Sequence, residues 1–201
     1  MQYLKDEIKN RILCAALNEF DEKGFINASM RKIAKNAGIA TGNIYHYFTG
    51  KDELFHVIML PVAEHFTALI SGQFKADANN TPVLADIVEN VMNFYDKYSR
   101  EFMILLDKSE GSAYQDVKAN LIGLIDKRLK EDLLPKLADE GIIIADKYIF
   151  YVIASMLVEG VFSILRECKE DSNRIKIMMG QMMALNLNYL EIMKGSPNFR
   201  Q

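Results

Sequence analysis

The sequence predicts an all-α protein, with a small three-helix head at the N-terminus and a larger helical body, about nine helices in all. Three observations lead there. Apolar residues recur at helical spacing over most of the chain, beginning with Ile8, Ile12, Ala16 and Phe20. Glycine (11) and proline (4) are too scarce among 201 residues for a loop-rich architecture. Two short helical segments near the start flank a tight turn at Gly38, the spacing of a helix-turn-helix.

The elements follow in order. Leu13 and Leu17 flank the first apolar stripe, giving one amphipathic helix over about residues 4–22, and Gly24 stops it. Ser29 can cap the second helix, Met30 to Asn36, by accepting from an unpaired backbone N–H. That helix buries Ile33, Ala34 and Ala37, and Gly38 ends it in a left-handed turn. A third helix is expected over Thr41–Phe48; Ala40 has no side-chain acceptor, so Thr41 caps it or it starts one residue later. From Lys51 a long helix reaches about Phe74, with Asp52 and Glu53 in its first turn and Pro61 as a kink and candidate hinge. Residues 75–81 read as a loop. Helices are expected over 82–98 and 100–108 with a break near Ser99, then Tyr114–Leu137, Asp146–Cys168 and Ser172–Lys194. The domain division is 1–50 for the head and 51–201 for the body.

Charge is unevenly placed. Residues 1–51 carry eight Lys/Arg and five acids, so they hold +3 within a chain of net −3. A basic head on an acidic body suits a polyanion bound at one end. The charged N-terminus is not expected to act as a signal peptide, and no stretch is expected to cross a membrane. Cys14 and Cys168 read as free thiols of a reducing cytoplasm. Catalytic patterns are missing: there is no Gly-rich phosphate loop and no nucleophile signature, and His46, His56 and His65 lie nine or ten residues apart, so they share no helical turn. The chain is therefore read as a non-enzyme with no metal or cofactor.

The stretches ILCAALNEFDEKGF (12–25), SMRKIAKNAGIATGNIYHYF (29–48) and GKDELF (50–55) resemble the DNA-binding domain of the TetR family of transcriptional regulators. The resemblance covers about a quarter of the chain. It implies that the third helix enters the major groove with Thr41, Gly42 and Asn43 facing base edges. Asn43 would pair with adenine, the Thr41 methyl would touch thymine, and Gly42 would allow close approach. Tyr45, Tyr47 and Lys51 would contact phosphates, Ser29 and Arg31 the backbone or, for Arg31, a guanine edge. His46 is either a base contact or an exposed spacer, and Phe48 packs inward.

For the body, the resemblance implies a small apolar or amphipathic effector and a homodimer on a palindromic operator in double-stranded DNA. Candidate pocket residues are Met59, Phe66, Phe94, Tyr98, Phe102, Met103, Leu106, Tyr114, Ile122, Tyr151 and Met156. Candidate dimer contacts are Ile153, Leu157, Val161, Ile164, Met179, Met182, Met183 and Leu187, on two helices more apolar than one buried face requires. The implied function is a ligand-responsive repressor. An activator of the same family, and a helical scaffold that binds no DNA, are the alternatives.

Overall fold

The structure, a computed structural model, describes the backbone of residues 2–73, 84–168 and 171–195, and side chains over 5–69, 89–168 and 171–185. The expected loop at 75–81 lies outside these residues, as does the side chain of Leu187. Among the described residues the chain is helical, without a β-strand.

Helix α1 (Gln2–Asn27) is broken at Gly24, whose φ of 69° lies in the left-handed region that glycine tolerates. Helix α2 (Met30–Asn36) has the bounds the sequence predicts. Helix α3 (Thr41–Ile44) is shorter than expected. Its continuation is a series of turns, with the N–H groups of both Tyr47 and Phe48 donating to Ile44 O. Gly42, Asn43 and the aromatics are weak helix formers, which explains the early end. Helix α4 (Lys51–Gln73) runs through Pro61 as one helix.

Helix α5 (Leu84–Asp107) breaks at Tyr98, one residue before the expected position. Residues 109–116 form turns rather than the start of a helix. Ser112 holds them: its hydroxyl donates to Ser109 O at 2.6 Å and accepts from the Tyr114 N–H at 3.0 Å. Helix α6 (Val117–Arg128) passes through a π-helical turn (Leu129–Leu133) into α7 (Leu134–Asp139). The π turn lies just before Pro135, whose missing N–H already removes one rung of the ladder. Helices α8 (Tyr148–Cys168) and α9 (Ser172–Gly195) complete the chain, and Asp146 caps α8 by accepting from the Tyr148 N–H at 2.9 Å.

Packing divides the chain into two compact units: Met1–Leu69 with Lys97–Val117, and Ile70–Asp96 with Lys118–Gln201. The first unit thus extends beyond the 1–50 head. Its interior is aromatic. Phe20 and Phe25 both meet Phe55, with ring centroids 4.8 and 4.9 Å apart, and Phe66 meets Phe102 at 4.6 Å. Such pairs contribute about 0.5–1.5 kcal/mol each beyond the area they bury. An ionic clasp closes the unit. Asp21 on α1 accepts from Arg100 Nε at 2.9 Å and from Lys108 Nζ at 2.6 Å, and Lys108 also reaches the Asp21 carbonyl. The Phe25 N–H donates to Lys108 O at 2.8 Å. Partial burial pushes the Asp21 carboxyl upward, but hydrogen bonds and positive charge from Lys108 and Arg100 outweigh it and hold the group below its ordinary value.

In the second unit, α8 buries Phe150, Ala154, Val158, Phe162 and Leu165, spaced by three and four residues, and packs on α9. Close approach needs Gly160, because a Cβ there would lie 2.6 Å from Met182 Sδ. Phe150 also joins Leu137 and Ile142 in a small core. Two expectations are corrected. Ile164 and Met179 are 7% and 0% exposed, so they belong to the core of the single chain and leave no surface for a partner. The apolar residues that do face outward on α8 are Tyr148, Ile149, Tyr151, Val152 and Met156. By length and composition α8 could also cross a membrane, which the sequence reading did not anticipate; here one of its faces is core.

Candidate nucleic-acid interface

The helix-turn-helix is held from three sides. At the start of α2 the Ser29 hydroxyl makes no cap, contrary to expectation. The Ser29 N–H instead donates to Glu19 Oε1 at 3.3 Å. Glu19 is only 4% exposed, and its carboxylate stands where the positive end of the helix favours an anion. At the other end of α2, Gly38 has φ 69°, Gly38 N–H donates to Lys35 O, and Ile39 N–H donates to Ala34 O. This paired closure satisfies the last carbonyls of the helix. Ala40 is extended and caps α3 with no side-chain bond, so α3 begins at Thr41. Ile44 and Phe48 are buried and anchor the segment from below.

What remains is displayed. Thr41, Gly42, Asn43, His46, Ser29 and Arg31 are exposed, and Tyr45 is 52% exposed. Gly42 is informative because nothing lies within 4 Å of where its Cβ would be. Glycine inside a helix costs about 0.5–1 kcal/mol relative to alanine, and no internal contact requires it here. Tyr47 is half-buried and lines a groove of about 290 Å³ with Lys5, Ile8, Ile39, Asn43 and His46.

Lys51 is engaged within the chain. Its ammonium donates to Ile26 O at 2.9 Å and stands 4.5 Å from the centre of the Phe25 ring. As the first residue of α4 it still sits at a helix N-terminus. Next to it, Glu53 accepts from the Thr49 N–H at 2.6 Å and hydroxyl at 2.7 Å. Those bonds, the backbone one first, hold the Glu53 carboxyl below its ordinary value. Sequence reasoning missed Glu19 because a carboxylate capping a helix ten residues away leaves no periodic signal.

The pocket candidates fall in both units. Met59, Phe66 and Phe102 are buried in the first unit, where Tyr98, Met103, Leu106 and Tyr114 also lie. Tyr114 bonds His56 Nδ1 at 2.8 Å. Phe94 and Ile122 are buried in the second unit. Tyr151 and Met156 are corrected: both face outward on α8, because its inward face is taken by the Phe150–Leu165 stripe. Among the described residues, no group of His, Cys, Asp or Glu is arranged to hold a metal.

Comparison with known proteins bears on the same segment. Residues 12–58 match the domain model for bacterial regulatory proteins of the tetR family. The HTH-type transcriptional regulator UidR of Escherichia coli is 29% identical over 122 residues, 60% of each chain. BetI of Vibrio campbellii, also an HTH-type transcriptional regulator, is 34% identical over 89 residues, 43% of this chain and 45% of that one. The chain thus spans about half to three-fifths of these relatives' lengths. Two crystal structures share the fold: a TetR-like transcriptional regulator from Rhodococcus sp. RHA1 (TM-score 0.62, 21% identity, 90% of this chain and 96% of that one) and NalD, the secondary repressor of the MexAB-OprM multidrug efflux pump in Pseudomonas aeruginosa (0.56, 21%, 88% and 95%). The helix-turn-helix of α2 and α3 thus lies inside the segment that matches the tetR-family domain, and the relatives that the chain resembles are HTH-type transcriptional regulators.

Proposed function

We propose that the protein is a ligand-responsive, DNA-binding transcriptional regulator of the cytoplasm, a repressor that leaves a palindromic operator when a small apolar or amphipathic effector binds. The observation that carries this reading is the exposed Thr41–Gly42–Asn43 end of α3, in which a glycine without internal use is flanked by two hydrogen-bonding side chains. That arrangement suits backbone approach to base edges, with Asn43 reading adenine and Thr41 thymine. Tyr45, Tyr47, Ser29 and Arg31 surround it as phosphate or backbone contacts, and Lys51 contributes once its bond to Ile26 O is exchanged for a phosphate.

Two copies would place two readers in successive major grooves about 34–36 Å apart. The outward face of α8, with Val152 and Met156 flanked by half-buried Ile153, Leu157 and Val161, and by Met182 and Met183 on α9, supports a second copy as the partner. Effector binding is a population shift. To lower operator affinity tenfold, the effector must prefer the released state by about 1.4 kcal/mol. Helix α4 starts directly after the reader and carries Pro61, so a change along it reaches α3.

The test is selection of duplex DNA from a random-sequence pool, then fluorescence anisotropy across a salt series. Enrichment of a palindrome and salt-dependent binding are expected. A protein that at low salt binds neither the selected duplex nor random DNA refutes the reading and leaves the interaction scaffold.

A further inference from the structure

We propose that Arg11 is a positioning residue of the DNA reader, a brace that sets the turn between α2 and α3 from α1, and that it is not a phosphate ligand. This rests on the regulatory reading above and deepens it. Arg11 lies in the basic head and is exposed, which by composition alone would class it with the phosphate-binding cations. Its guanidinium is committed elsewhere. Nε donates to Ala37 O at 3.0 Å, and Nη2 donates to Ala37 O and, at 3.2 Å, to Gly38 O, across 26 and 27 residues.

The reason lies in how the turn is closed. The Gly38 and Ile39 N–H groups satisfy carbonyls inside α2. Among the described residues no backbone N–H takes the carbonyls of Ala37 and Gly38 themselves. The Ala37 carbonyl, at the C-cap, lies at the negative end of α2, where a cation is favoured, and the Gly38 carbonyl follows it in the turn. The planar guanidinium brings two nitrogens to the Ala37 carbonyl and one of them to Gly38 as well, a fixed two-nitrogen contact that the single nitrogen of a lysine ammonium does not reproduce. The fit is close: a Cβ on Gly38 would come within 2.7 Å of Nη2. Because α3 starts three residues after Gly38, fixing these carbonyls against α1 fixes the direction in which Thr41 and Asn43 are presented.

The experiment compares wild type, Arg11→Gln and Arg11→Lys on the selected duplex and on random-sequence duplex over a salt series, with amide exchange at Gly38 and Ile39 measured without DNA. For Arg11→Gln, affinity for the selected duplex should fall about tenfold relative to random DNA, the scale of losing hydrogen bonds from a charged donor. The slope of log affinity against log salt should not change, since no phosphate partner is lost. Exchange at Gly38 and Ile39 should quicken about tenfold. Arg11→Lys, which keeps the charge, should show the same loss of discrimination. A slope lower by about one unit, with equal loss on both DNAs, would make Arg11 a phosphate ligand and overturn the proposal. So would unchanged discrimination, or restoration by lysine. If wild type bound no DNA, the regulatory reading would fail; the brace would then be judged by exchange, and unchanged rates would overturn it as well.

Discussion

Replacing Asp21 by asparagine should loosen the first unit, by an amount the clasp geometry allows one to work out. The side chain keeps its shape but loses the charge that faces Arg100 Nε at 2.9 Å and Lys108 Nζ at 2.6 Å. Both pairs are partly exposed, with side-chain exposures of 37–43%, so each is taken at the surface value of about 0.2–1 kcal/mol rather than at the far larger unscreened Coulomb energy. Adding one weakened charge-assisted hydrogen bond gives about 1.5 kcal/mol in total. For a chain of this size that corresponds to about 3–6 °C in Tm. Thermal unfolding by circular dichroism reads the shift, and exchange of the Phe25 amide, which is bonded to Lys108 O, locates it. The pH dependence has a definite sign. Because the folded state holds the Asp21 carboxyl below its ordinary value, its contribution is complete above the unfolded-state value of about 4 and disappears as pH falls through the folded-state value. Wild type and variant should therefore differ at pH 7 and converge in acid. Equal Tm values at pH 7 would refute the clasp, and a gap that persisted undiminished at pH 2 would show that the effect is not ionic.

Further outcomes are expected. Gly38→Ala should destabilise by at least about 1–2 kcal/mol through the left-handed backbone alone, with the Arg11 contact adding to it; thermal denaturation checks this. Asn43→Ala should relax preference at particular base pairs by about 1–3 kcal/mol without changing the salt slope, as measured by competition with substituted duplexes. Lys51→Ala should weaken binding to all DNA, lower the slope by about one unit, and also reduce stability, because Ile26 O loses its donor. In the dimer proposed above, Met156→Asp, on a residue 61% exposed in the single chain, should leave that chain folded while raising the dissociation constant by about a hundredfold or more, because each copy would bury one Met156 there; sedimentation equilibrium would read it.

Much of the head was legible in the residues because its signals are local. Apolar spacing, a glycine obliged to φ 69° and a short helix between them placed α2 from Met30 to Asn36 and turned Phe48 inward. What escaped were the pairings that join distant segments. The Glu19 carboxylate at the Ser29 N–H, the Arg11 fork on the Ala37 and Gly38 carbonyls, and the Asp21 clasp to Arg100 and Lys108 span 10, 26–27 and 79–87 residues. A hydrogen bond depends on where two groups meet in space, and periodicity along one helix carries no record of that. The same limit applied to α8. Its apolar composition was evident, but Ile164 turned inward and Met156 outward only because packing against α9 and the Phe150 core chose one side of a helix that is apolar on both. Local chain chemistry determined that these segments are helical and where most of them end; the folded chain alone decided which faces and charges they spend on each other and which they leave exposed.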